Sequence, residues 1–187
     1  IHKRYPQRSQ AFMLKVQQWV GNDTRLGFIV NNSNFYSEFS KEFRKDLLEK
    51  YSISQYYELS DYNPILFKKR TIGEINKEQI EIGSSEPCAI LIFEEYKQEN
   101  NIIKYISPKI NHFSEHLEII QYTSIDIFNI EQSLLVENDD YWKIFVNGDW
   151  ETLELIEKIK KSKDDNLKYE FCEQGIQGQI LPYCCID

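Results

Sequence analysis

Phe35, Phe39, Phe43, Leu47, Leu48 and Tyr51 follow one another at spacings of 4, 4, 4, 1 and 3, while Glu38, Lys41, Glu42, Lys45 and Glu49 occupy the positions between. This is the pattern of an amphipathic helix with one core-facing stripe. What constrains the fold is its setting. The apolar run Leu26-Gly-Phe-Ile-Val30 precedes it and the alternating stretch Ile53 to Leu59 follows it. Both runs have the length and composition of strands. Upstream, Phe12, Met13, Val16, Trp19 and Val20 make a second helical stripe, stopped by Gly21. Downstream, Ser60 to Glu86 is polar and long for an ordinary connection. Pro87-Cys-Ala-Ile-Leu-Ile-Phe93 then reads as a strongly apolar strand. The order helix, strand, helix, strand, insertion, strand predicts an α/β layer with a mostly parallel sheet. The last of these strands has no crossover helix before it and is expected to run antiparallel to its predecessor.

Beyond Phe93, Ile102 to Ile106 is expected as a hairpin partner of the preceding strand across Gln98-Glu-Asn-Asn101. A further strand is expected at Ile119 to Tyr122. A helix is expected at Thr152 to Lys161, with Leu153, Ile156 and Ile159 inward and Asp149 near its start. Lys158, Lys160 and Lys161 fall in its last turn, where the helix dipole favours cations.

Composition narrows the class. Apolar residues make up 41% of the chain and aromatics 14%, too many for a disordered polypeptide. With 7 Gly and 5 Pro among 187 residues, collagenous and low-complexity classes are excluded. No apolar run reaches the ~18 residues of a membrane span. The net charge of −8 is unevenly distributed: residues 1–93 hold 13 Lys+Arg against 11 Asp+Glu, and residues 94–187 hold 9 against 19. A polyanion contact fits the first part better, which holds Arg4, Arg8 and Lys68-Lys69-Arg70, although that run reads first as a solvated loop. The four cysteines, Cys88, Cys172, Cys184 and Cys185, include no Cys-x-x-Cys pair, and Cys88 lies within an apolar run. That usage fits a reducing, cytoplasmic setting. His112 and His116 have one-face helical spacing but no third ligand, so no metal site is expected. Ile1 is no initiator, nothing resembles a signal peptide, and the chain is expected to be part of something longer.

Familiar catalytic signatures are missing: there is no dinucleotide or Walker glycine loop, no Gly-x-Ser-x-Gly elbow and no His-Glu-x-x-His. Asp139-Asp140 and Asp164-Asp165 sit in polar stretches, where solvation accounts for them. Trp142 and Trp150 are expected in the core, with base stacking as the alternative.

A family resemblance covers most of the chain. Gly27-Phe-Ile-Val30 resembles the strand "GFIVP-S" of the N6-adenine DNA methyltransferases of restriction–modification systems. Lys41-Glu-Phe-Arg-Lys-Asp-Leu-Leu48 resembles that family's following helix, "K-x-[LF]-R-x-x-LL". Ile53 to Leu59 takes the place of the next strand, and Pro87 to Phe93 resembles the strand "P-x-x-I-L-I-L". Gly175-Ile-Gln-Gly178 resembles the segment "GI-x-[TS]-G" that opens the target-recognition domain of type IIG and related enzymes. Asn31 stands where the family usually has Pro, and the last segment is one residue short of its pattern. The glycine-rich S-adenosylmethionine motif and the Asn/Asp-Pro-Pro-Tyr/Phe catalytic motif, both N-terminal in the family, are absent.

The resemblance implies a partial Rossmann-like methyltransferase sheet with flanking helices over residues 1–107. It implies a mixed α+β linker toward a target-recognition domain over 108–187. No catalytic, cofactor or metal-ligating residue is then expected here, and the isolated chain is expected to be inactive. S-adenosylmethionine, DNA and the remainder of the methyltransferase domain are partners of the full-length parent, which itself either carries or lacks a nuclease. Asn31, Asn32, Ser33 and Asn34 follow a strand's carboxyl end, where α/β folds place ligands, and are implied to line the substrate or DNA cleft. Helix capping is the alternative role of these four. Gly175, Gln177 and Gly178 are implied to form a loop near the DNA backbone, with a simple turn as the alternative. A reading from another class, a stand-alone α/β interaction module with an acidic face, also fits the composition.

Overall fold

The computed structural model describes residues 5, 7–21, 24–67, 70–75, 78–82, 86–94 and 99–161. The fold is α/β, built on an open five-stranded mixed sheet. Its strands are β1 (Arg25–Asn31), β2 (Ser52–Glu58), β5 (Cys88–Glu94), β6 (Ile102–Ile106) and β7 (Ile127–Glu131), in the order β1-β5-β2-β6-β7. β5 runs antiparallel to both β1 and β2, from Asn31↔Cys88 to Arg25↔Glu94 on one side and from Glu58↔Ala89 to Ser52↔Glu94 on the other. β6 lies parallel to β2, and β7 antiparallel to β6. β1, β2 and β6 therefore point one way, with β5 threaded back between the first two. A separate hairpin pairs β3 (Arg70–Ile75) with β4 (Glu78–Ile82), within the stretch expected to be irregular.

The antiparallel relation of β5 to β2 follows the sequence reading, but two expectations are corrected. The sheet is mixed rather than mostly parallel, since only the β2–β6 pairing is parallel. Ile102 to Ile106 does not form a hairpin with β5: it pairs with β2 and β7. Both flanks of β5 are already occupied by β1 and β2, so sequence adjacency cannot place β6 there.

The helices α1 (Arg8–Lys15), α2 (Ser33–Tyr36), α3 (Lys41–Lys50), α6 (Gln132–Glu137) and α7 (Tyr141–Asn147) contribute to the main core on one sheet face. Met13, Phe35, Phe43, Leu47, Leu135, Trp142 and Phe145 meet Leu26, Val30, Leu91, Phe93, Tyr56, Ile103 and Tyr105 there. Leu153 of α8 (Trp150–Lys161) joins them. A smaller cluster of Leu59, Tyr62 and Cys88 is packed by Tyr57, Ile65, Phe67 and Ile90, with α4 (Asn63–Leu66) supplying Ile65. Trp142 is fully buried, while Trp150 is partly exposed and lies edge-on to Phe145. Asp149 caps α8 as expected, accepting from the Thr152 amide and hydroxyl at 2.8 Å each. Gly148 before it is held by close contact: a Cβ there would lie 2.9 Å from both the Ile144 carbonyl oxygen and Thr152 Cγ2.

The single helix expected from Phe35 to Tyr51 is broken. α2 ends at Tyr36, Ser37 is extended (φ −72°, ψ 133°), a 3₁₀ turn covers Glu38–Ser40, and α3 begins at Lys41. Phe39 leaves the core stripe and is 85% exposed. Arg44 accounts for the break. Its fully buried guanidinium donates to the carbonyls of Asn34 (3.2 Å) and Ser37 (2.8 Å), groups that a continuous helix would consume internally. The same fork binds Asp139 through Nε to Oδ1 at 2.5 Å and through its second arm to Oδ2. Asp139 is thus a structural ion-pair partner rather than a merely solvated carboxylate. Residues Ile119 to Tyr122 are irregular, not a strand, and are partly exposed. α5 (His112–Leu117), β7, α6 and α7 were not expected from the sequence.

Arg44→Ala leaves Asp139 without its bidentate partner and two carbonyls without their donor. Removing one member of a buried pair costs about 3–5 kcal/mol, and urea unfolding is expected to show a loss of this order. Asp139→Asn, which keeps an acceptor for Nε, is expected to cost less.

Candidate functional site

β1 and β2 end side by side, about two strand spacings (roughly 10 Å) apart across β5. Three polar side chains from the two strand ends converge there: Asn32 after β1, Glu58 at the end of β2, and Ser60 just beyond it. Asn32 Nδ2 donates to Glu58 Oε1 and to Ser60 Oγ. The Ser60 amide (3.1 Å) and hydroxyl donate to the same carboxylate oxygen. The chain ends are fastened to the start of β5 by Asn32 N to the Pro87 carbonyl and Leu59 N to the Cys88 carbonyl, both at 3.1 Å. Asn32 and Glu58 are each 1% exposed. Glu58 Oε2 and Asn32 Oδ1 have no hydrogen-bond partner among the described residues.

Burial pushes the Glu58 carboxyl above its ordinary value of 4.5, against the opposing pull of the Ser60 donors, the Lys109 charge and Asn32. Lys109 is itself tied to the end of α7, donating to the Val146 carbonyl and to Asn147 Oδ1 (2.9 Å). Burial raises the Cys88 thiol, with the Glu58 charge adding to the shift. On the core side lies a cluster of phenols. Tyr36 Oη is 3.0 Å from Tyr56 Oη and 3.3 Å from Tyr105 Oη, and Tyr105 donates to the Trp142 carbonyl at 3.1 Å. Burial drives all three hydroxyls well above the usual phenol range, and the Glu58 charge acts in the same direction. The result is a carboxyl with one oxygen saturated by donors and the other uncommitted, backed by neutral hydroxyls. Such a group can accept an N–H or hold a proton.

The four residues singled out after β1 divide by role. Asn31 closes a local turn ahead of α2, its Oδ1 accepting from the Ser33 amide at 2.7 Å, while its amide group donates to Glu86 Oε2 at 2.5 Å. Ser33 Oγ accepts from Gln7 Nε2 at 2.6 Å. Asn34 is fully buried and donates to the Asn31 carbonyl at 2.8 Å. Only Asn32 enters the polar cluster. Gly175, Gln177 and Gly178 lie outside the described residues, as do Arg4, Lys68, Lys69, Asp164, Asp165, Cys172, Cys184 and Cys185. His112 and His116 stack with centroids 6.3 Å apart on exposed α5, and no group of three metal-ligating side chains occurs among the described residues.

Glu58, Ser60 and Lys109 were missed from sequence. The available signal was alternation: Glu58 follows Tyr56 by two residues and so shares its inward face, an unusual place for a carboxylate.

No protein-family model matches this chain, and no curated protein matches it.

The raised carboxyl carries a pH signature. A folded-state pKa above the unfolded value contributes stability at low pH that is lost as pH rises through the folded pKa. Urea unfolding between about pH 4 and about pH 8 is expected to show Glu58→Gln gaining on the parent chain as pH rises. A difference between the two that stays constant across that range contradicts the burial of an ionisable carboxyl at this position.

Proposed function

We propose that this chain is the C-terminal half of the catalytic domain of a restriction–modification DNA adenine-N6 methyltransferase, leading toward its target-recognition domain. One observation carries the reading. Four of the five segments that resemble the family form β1, α3, β2 and β5, with β1 and β2 both paired to β5, and the parallel β1 and β2 deliver Asn32 and Glu58 to one end of the sheet. Carboxyl ends of parallel strands are where open α/β sheets hold ligands. In this reading the sheet is the far half of a Rossmann-like methyltransferase sheet in a cytoplasmic enzyme, and Asn31 to Asn34 sit beside the substrate cleft. Asn32 and Glu58 act as positioning residues that fix the loop after β1.

S-adenosylmethionine belongs to the upstream part of the parent. The residues present do not fit it: Asn31–Asn34 follows β1, Leu59–Tyr62 follows β2 and Ser107–Lys109 follows β6, and none of these connections is glycine-rich. Base flipping needs a pocket with stacking and Watson–Crick-edge contacts, which lie with the same upstream part. In this reading the chain has no membrane partner; among the described residues no helix is long and apolar enough to cross a membrane.

Titration calorimetry tests the placement. The chain alone is expected to bind neither S-adenosylmethionine nor duplex DNA at micromolar concentrations. The full reading frame, with an Asn/Asp-Pro-Pro-Tyr/Phe tetrapeptide before Ile1 and the recognition domain after Asp187, is expected to bind both. Micromolar S-adenosylmethionine binding by the chain alone, or an upstream frame without the tetrapeptide, overturns it.

A further inference from the structure

We infer that the ends of β1 and β2 form a binding site for a primary ammonium group, received by Glu58 Oε2 and Asn32 Oδ1. The site rests on the fold alone, so it stands or falls independently of the methyltransferase reading.

The balance of donors and acceptors carries the inference. Asn32 Nδ2 commits its two hydrogens to Glu58 Oε1 and Ser60 Oγ. The Ser60 amide and hydroxyl both donate to that same carboxylate oxygen. The side-chain donors of the cluster are thus all engaged, and three bonds converge on one atom. Two acceptors remain, Glu58 Oε2 and Asn32 Oδ1, each buried and without a partner. Turning the Asn32 amide offers no relief, because it would set an oxygen against the carboxylate. A buried acceptor left unpaired is costly, and a buried charge more so. What the pair calls for is N–H donors together with one positive charge, and the cluster itself has neither to give.

The form of the ligand follows from the atoms left open. A guanidinium grips a carboxylate through both oxygens in a fixed fork, and Oε1 is already saturated. A primary ammonium is compact and carries three rotatable donors, which suits one carboxylate oxygen and one amide oxygen on separate side chains. Calcium and magnesium ions call for six or more oxygen ligands, and no group of three metal-ligating side chains occurs among the described residues.

The surroundings leave the place open to such a group. The Lys109 charge pulls on Glu58, yet its Nζ donates to the Val146 carbonyl and to Asn147 Oδ1 at the end of α7. Burial pushes up the Cys88 thiol and the Tyr36, Tyr56 and Tyr105 hydroxyls, so they stay neutral near pH 7. Asn31, Ser33, Ser60 and Asp61, which flank the pair, are only half-buried, placing the open acceptors just beneath the surface at the strand ends.

Thermal unfolding at about pH 7 in about 100 mM methylammonium, potassium or tetramethylammonium chloride tests the site. Methylammonium is expected to raise the midpoint by about 3 °C over the other two, as a ligand that binds only the folded chain does. The gain is expected to saturate with concentration and to vanish in Glu58→Gln. It is expected to persist in Glu154→Gln, which removes an equal charge from exposed α8. In the unaltered chain the Ser60 amide resonance is expected to shift along the same saturation curve, a readout that needs no variant. Equal midpoints in the three salts with an unmoved Ser60 amide overturn the site. Potassium matching methylammonium overturns the ammonium assignment in favour of a bare cation. A Glu58 carboxyl that carbon NMR finds protonated at pH 7 also overturns it, since its own O–H then answers Asn32 Oδ1. So does a response absent from the unaltered chain but acquired by Lys109→Gln, which gives the site to the ammonium of Lys109.

Discussion

The antiparallel seating of β5 between β1 and β2 is the constraint on which the rest depends. It is the one strand paired with both β1 and β2, with Phe93, Leu91 and Ala89 entering the main core and Cys88 and Ile90 entering the smaller one. Its first turn also receives the amides of Asn32 and Leu59. Those two bonds set the separation of the strand ends, and the reach of an Asn side chain then spans from one to the other. Without β5 in this position Asn32 and Glu58 have no reason to meet.

A second polar device shapes the helical layer. Arg44 carries a charge into the core and is matched there by a carboxylate 95 residues away in sequence and by two main-chain carbonyls. Its geometry favours a broken helix over a continuous one, so that the carbonyls of Asn34 and Ser37 are free to accept. A buried ion pair contributes little net stability relative to a well-packed apolar substitute. Its effect here is to specify where α2 stops and where the turn before α7 docks.

Much of the sheet was legible in the sequence, because β1, β2 and β5 are short apolar runs with clear boundaries. The core residues Phe43, Leu47, Leu48 and Cys88 were legible by the same periodicity. The neighbour order was not: β6 is close to β5 in sequence but finds β2, since pairing depends on which strand edges remain open. The helix break was hidden because its cause is a tertiary hydrogen-bond network around Arg44, whereas the Phe35, Phe39, Phe43 spacing taken locally favours continuity. Of the candidate site, Asn32 was visible as part of a polar tetrad after a strand. Its partners were not, since Glu58 and Ser60 lie more than 25 residues further on and Lys109 belongs to another connection. The division of the tetrad into one Asn closing a local turn, one cluster Asn and two residues held by local and long-range bonds is likewise a product of three-dimensional context.

In the function proposed above, this half-sheet serves methyl transfer to adenine, with Asn32 and Glu58 shaping the cleft from its far side. Nucleoside mass spectrometry of duplex DNA incubated with S-adenosylmethionine and the full-length parent, recognition domain included, tests it most directly. N6-methyladenine is the predicted product, reduced in yield by Asn32→Ala while the polypeptide stays folded. Methylcytosine, or unmodified DNA from a polypeptide that binds both S-adenosylmethionine and DNA, would contradict it.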